Sequence, residues 1–418
     1  MTGGNSFNGL LIVALIAVAA PLLAAAIPRI KIPAVVLEIV AGIVVGPSVL
    51  GWVDIDQPIT VLALVGLAFL LFLAGLEIDL TALRGDLLRL PLLGFALTLA
   101  IGFAAGIGFD VAGWVDSPMF VAIALAATSL GLIVPVLKDV GHAESPLGRY
   151  TIAGATIADF GAVILLSLFF SESEGGTASR LITLGLFVAV IAVVGLVLAR
   201  AGRSIRLDAV LVRLQDTTAE IRVRIAVALL IGFVALAAKV GLETILGAFI
   251  AGALLGIVDR DAMSHPNFRL KLDAVGYGFV IPVFFVTSGL RFDLDALTEN
   301  PSALGRVPLF LAALLAARGI PAWLYRHKLG RDGTIVAALL QATSLPFIVT
   351  ASEIGVAIGA IRAVTAAALV TAGLLSVVIF PPIALGLLRR ESRGADDVPA
   401  ETGPGFEFVT GDPLPTNN

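Results

Sequence analysis

The chain lacks cysteine altogether, which excludes disulfides, thiolate metal sites and cysteine nucleophiles. Charge is scarce too. Asp, Glu, Lys and Arg make up 14% of the 418 residues, against about a quarter in ordinary soluble domains. The three histidines, His142, His265 and His327, all fall between apolar runs. No serine–histidine pair can therefore form at depth, which excludes an intramembrane serine protease. The first residues, Met1–Ser6, carry no basic stretch and no small-residue cleavage site, so no signal peptide is expected. What the chain has is apolar surface: 58% of residues are hydrophobic and the mean hydropathy is +1.04. Runs of about 20 apolar residues recur throughout, each able to cross a hydrocarbon core roughly 30 Å thick. The expectation is an all-α, polytopic protein of the cell membrane, with no enzymatic chemistry, no cofactor and no nucleic-acid partner.

The runs divide into thirteen expected spans, near 8–27, 33–51, 58–76, 90–110, 118–137, 148–170, 180–200, 222–238, 242–258, 270–290, 304–325, 333–352 and 362–388. With the N-terminus outside, most of the 27 lysines and arginines fall in cytoplasmic segments, Arg29, Lys31, Arg84, Lys138, Arg203, Arg206, Arg326 and Arg389 among them. Arg180, Lys239, Arg291, Arg306 and Arg362 fall outside. Positive residues concentrate on the cytoplasmic side, so the chain reads as N-out and C-in. In Ala201–Glu220, Ile205, Leu207, Val210, Leu211 and Leu214 alternate with charges. That pattern suits an amphipathic connector on the cytoplasmic face. Residues 389–418 read as a short disordered tail.

The chain also repeats itself at an offset near 214. Gly75–Leu83 (GLEIDLTAL) returns as Gly289–Leu297 (GLRFDLDAL), and Ala127–Val134 (ATSLGLIV) as Ala342–Val349 (ATSLPFIV). Ala41–Gly46 is echoed by Ala251–Gly256. Partners lie an odd number of spans apart, so the copies, spans one to six and eight to thirteen, run in opposite directions. Inverted repeats of this kind are a mark of secondary transporters. Thr128–Ser129 and Thr343–Ser344 fall mid-span, with Pro135 and Pro346 close by. They read as two crossed, broken helices whose freed ends bind ions.

Two charges stand in mid-span. Asp159 is central in Leu147–Ser171, a run otherwise mostly apolar or small, and Arg318 is near the centre of span eleven. A charge at that depth costs roughly 2.5–3.5 kcal/mol even on lenient insertion scales. A lone acid so placed points to a proton or a metal cation as its ligand. The repeat images of both charges, near Gly373 and Ala104, are uncharged, which favours a function over an architectural role. Arg318 keeps its proton at any physiological pH. Its expected partners are Asp159, an acid further out, or the carbonyls of a broken helix.

The residues Pro33–Gly51 (PAVVLEIVAGIVVGPSVLG), Phe72–Asp79 (FLAGLEID), Gly247–Gly252 (GAFIAG) and Phe284–Asp293 (FFVTSGLRFD) resemble the monovalent cation:proton antiporter superfamily, in its Kef-type and Na+/H+ antiporter branch. The resemblance runs over about 8–388. It implies a homodimer in which 1–85 and 205–300 form the dimerisation part and 86–172 and 301–388 the mobile core, with 173–204 as a linking span. It makes Asp159 the residue that binds Na+ or K+ and protons in turn, with Thr128 and Ser129 beside it. Arg318, Thr343 and Ser344 are then core support. Glu38, Asp79 and Asp293 match family positions and read as interfacial or packing residues. Two departures stand out: Ala158 occupies a position that is usually Asp, Asn or Gln, and Thr343–Pro346 replaces a Gly-Glu-Phe-like motif. A single core carboxylate favours one-for-one, electroneutral exchange. A cation channel of the same fold, or a proton-coupled carrier of another small solute, is the alternative.

Overall fold

The computed structural model describes residues 7–26, 33–77, 84–170, 220–258, 266–298 and 301–396, with a few isolated positions between 182 and 193. The expected seventh span, the amphipathic connector, Asp79 and the tail beyond 396 lie outside the described residues. Those described are helical apart from turns and one isolated bridge between Val115 and Ile361.

The helices, in chain order, are α1 (Phe7–Ala26), α2 (Ala34–Val45), α3 (Gln57–Leu76), α4 (Asp86–Val111), α5 (Pro118–Ala126), α6 (Leu130–Asp139), α7 (Pro146–Phe170), α8 (Ile221–Lys239) and α9 (Thr244–Val258). They continue with α10 (Pro266–Val275), α11 (Ile281–Leu290), α12 (Leu294–Thr298), α13 (Pro301–Gly319), α14 (Arg326–Gln341), α15 (Pro346–Ala357) and α16 (Ala363–Asp396). Among the described residues, eight helical stretches are long and apolar enough to cross a membrane. Local signals set several starts. Asp56 accepts from the Ile59 N–H at 3.0 Å to cap α3, and Ser117 accepts from Phe120 at 3.3 Å to cap α5, each with proline in the first helical turn.

Packing sorts the helices into two groups. In one, α2 and α3 lie against α11 and α9, with α1 and α8 outside them. In the other, α4, α5, α7, α13, α14, α15 and α16 pack on one another. Contact between the groups is sparse; α7 meets α9, α2 meets α16, and side chains of α11 reach α15. Within the first group, glycine lets backbones touch. A methyl on Gly42 would strike the Val286 carbonyl, and one on Gly289 the Ile39 carbonyl, so α2 and α11 cross there in near-direct contact. Gly75 and Gly252 bring α3 and α9 together in the same way, against the Phe249 and Phe72 carbonyls.

Within span ten, Gly276–Val280 forms a π turn between α10 and α11. Two expectations need correction. Pro135 breaks nothing, since it lies inside α6, whereas Pro346 opens α15, where its missing N–H costs little. The last helix continues past the expected boundary at 388 through Asp396. The run from 389 to 393 is rich in Arg and Glu, which are good helix formers.

Candidate functional site

Between α5 and α6 the chain leaves helical geometry for Ala127–Ser129, and between α14 and α15 for residues 342–345. The two interruptions meet: the Ser129 N–H donates to the Thr343 carbonyl at 2.9 Å. Asp159, on α7, faces the first. Its carboxylate accepts from the Thr128 N–H at 2.8 Å and the Leu130 N–H at 3.4 Å, two donors freed by the break. The positive end of α6 is thus aimed at an acid.

Arg318, 2% exposed on α13, lies on the other side of the break. Its Nε donates to Thr128 Oγ1 at 2.8 Å and to the Gln341 carbonyl at 3.3 Å. Its terminal nitrogens reach Thr98 Oγ1 at 3.4 Å and the Gly154 carbonyl at 3.5 Å. Thr128 Oγ1 donates in turn to Gln341 O at 2.9 Å. Of the partners left open for Arg318, the broken-helix carbonyl is the one found: the guanidinium faces the negative end of α14. Thr128 presents its backbone N–H to Asp159, while its hydroxyl is shared between Arg318 and Gln341.

Thr343 and Ser344 are buried away from Asp159. Thr343 Oγ1 donates to Leu339 O of its own helix at 3.1 Å. The Ser344 N–H donates to Ser376 Oγ on α16 at 3.1 Å. Glu38 is buried on α2, and Asp293 is exposed just beyond α11.

Asp159 is half-buried because a cavity of about 80 Å³ reaches it, lined also by Ser129, Thr350, Glu77, Tyr277 and Phe285. That volume holds several waters or a partly hydrated cation. Glu77, which ends α3, shares the cavity and is tied to Arg269 at 2.8 Å. Among the described residues no cluster of three His, Cys, Asp or Glu side chains gathers to hold a metal, so a cation here would rest on the Asp159 carboxylate with hydroxyls, carbonyls and water, Glu77 being held by Arg269. Sequence reasoning passed over Glu77, Thr98, Gln341 and Ser376. The signals were present: Thr98 is a polar residue in apolar α4, Gln341 directly precedes the Ala-Thr-Ser-Leu repeat, and Ser376 lies beside the repeat image of Asp159.

Two interrupted helices that meet inside a bundle of long apolar helices, with an acid and a cavity at the meeting point, belong to an integral, multi-pass membrane protein. The sodium/hydrogen exchanger transmembrane family profile matches residues 13–388, and the chain belongs to that family. YjbQ of Bacillus subtilis is 31% identical over 411 residues, 93% of this chain and 64% of that protein. An Na(+)/H(+) antiporter of Enterococcus hirae is 28% identical over 286 residues, 65% of this chain and 70% of that one. The chain thus spans a little under two thirds of YjbQ. The sodium proton antiporter MjNhaP1 from Methanocaldococcus jannaschii has the same fold, with a TM-score of 0.60 at 19% identity over 91% of this chain and 98% of that one.

Proposed function

We propose that this protein exchanges a monovalent cation, Na+ or K+, for protons, with Asp159 binding each in turn. The observation that carries the reading is the Asp159 carboxylate, open to a cavity and held by the Thr128 and Leu130 N–H groups. An empty anion is costly to move through a low-dielectric core, whereas a protonated or cation-bound carboxylate is not. One ligand therefore displaces the other, and each crosses when the core group shifts against its neighbour. Ser129 and water complete the shell of hard oxygens that a small cation needs. Glu77 is engaged by Arg269, and Asp159 is in no ion pair among the described residues, which supports one cation for one proton.

The thirteen-span inverted repeat, the N-out orientation and the homodimer belong to the same reading. The glycine contacts support the repeat: Gly42 with Gly289 and Gly252 with Gly75 are the same contact with the copies exchanged. Purified protein in vesicles with an imposed pH gradient tests the function, with Na+, K+ and Li+ supplied in turn. Cation-dependent collapse of the gradient, insensitive to membrane voltage, is expected. A flux independent of the gradient points instead to a channel.

A further inference from the structure

The two helix groups are joined by an ion pair between Arg291 and Glu353. Arg291 ends α11 in the first group, and Glu353 is on α15 in the second. Their Nη1 and Oε2 atoms are 3.0 Å apart. The other Glu353 oxygen accepts from Ser288 Oγ of α11 at 3.3 Å. The pairs Arg269–Glu77, Lys271–Glu220 and Lys328–Asp86 each stay within one group.

Its location relative to the cavity is informative. Pro346, Phe347 and Thr350 on α15 line the cavity beside Asp159. Glu353 continues the same helical face about one turn further on. The pair therefore lies just past the end of the cavity that is remote from Glu77. At the Glu77 end, Lys138 closes α6 of the core group and is near enough to Glu77 to interact with it electrostatically, yet Glu77 bonds to Arg269 of its own group. Within the sequence repeat, Glu77 and Arg291 are the same position carrying opposite charge. Among the described residues, one end of the path is tied across the two groups by an ion pair, and the other is not.

We infer that Arg291 and Glu353 are positioning residues that hold the site facing the Glu77 side, and that in the opposite state this tie parts while Lys138 of the core takes Glu77 from Arg269. The ion pair would then act as a latch that changes ends with each half-cycle. Exposed pairs are individually weak. A latch of that strength suits the purpose, because it biases the two states several-fold without trapping either. The inference rests on the exchange reading for its purpose but not for its test.

The absence of native cysteine makes the test direct. Single cysteines at Leu132→Cys and Thr350→Cys, both lining the cavity, are alkylated with an impermeant maleimide from each side of sealed vesicles. In the parent, Leu132→Cys should label from the Glu77 side. Adding Glu353→Gln should raise labelling of Thr350→Cys from the Arg291 side about five-fold and lower that of Leu132→Cys from the Glu77 side. The exchanged pair Arg291→Glu with Glu353→Arg should return both to the parent pattern. Unchanged sidedness in Glu353→Gln overturns the latch. So does a folded charge-swapped protein that fails to recover, folding being judged by gel filtration and Tm. Cation:proton flux, followed in the same vesicles, reports separately on the exchange reading: its absence with a responsive labelling pattern condemns that reading alone.

Discussion

The two interruptions carry the same letters, Ala-Thr-Ser-Leu, and are finished in different ways. At the first, the freed N–H groups of Thr128 and Leu130 point at the carboxylate of Asp159, beside a cavity. At the second, the Ser344 N–H points at the neutral hydroxyl of Ser376, which is fully buried and also within 3.1 Å of the Ser344 carbonyl and 2.7 Å of the Gly373 carbonyl. Both helix ends are satisfied, but only the first is satisfied by a group that can take up a cation or a proton. The two breaks share their letters, and the first alone of the two sets a carboxylate and a cavity beside the freed N–H groups, which is where the proposed site lies.

The largest expected effect comes from removing that difference. Asp159→Asn keeps an acceptor for the Thr128 and Leu130 N–H groups but loses the charge, so exchange should fall at least ~100-fold while the protein inserts and folds, as read by flux and gel filtration. Near-normal exchange by a folded Asn variant would remove Asp159 from the centre of the account. Next is Arg318→Ala. It strands buried partners at Thr128, Gln341, Thr98 and Gly154, each costing about 1–3 kcal/mol if left unmet. A marked drop in Tm is expected, and Arg318→Lys should keep exchange with a smaller drop, since an ammonium retains the charge without the planar fork. If Arg318→Ala melts like the parent and only the pH profile of exchange moves, Arg318 tunes Asp159 and does not hold the core.

Ser376→Ala tests the second break. Losing a helix-capping acceptor costs about 1 kcal/mol, so Tm should fall by a few degrees while exchange stays within about two- to three-fold of the parent. A collapse of exchange would mean the second break takes part in ion binding. The smallest contrast is between the paired threonines. Thr128→Val removes a hydroxyl that joins Arg318 to Gln341, whereas Thr343→Val removes one that bonds only back to Leu339 in the described structure. The first should lower Tm clearly. The second should stay within about 0.5 kcal/mol in an unfolding titration, as substitutions away from critical contacts usually do. Equal losses would show that the two breaks are energetically alike.

The last contrast also shows where sequence reasoning stops. Thr128 and Thr343 stand in identical words, and nothing local separates them. The sequence by itself determined the membrane class, since long apolar runs have no other low-energy place. It also marked both breaks, because Thr and Ser replace leucine at mid-span, and singled out Asp159 and Arg318, because charge at such depth demands a reason. Only the tertiary structure decided who meets whom. That Arg318 turns to Thr128 and Gln341, that Glu77 opens into the cavity of Asp159, that Ser376 stands in for the acid at the second break, and that Arg291 ties to Glu353 all depend on helices far apart in the chain. Depth and period leave a record in a single helix. A contact between two helices depends on their rotation and crossing, which are set by such approaches as Gly42 against Gly289, and no segment read alone contains them.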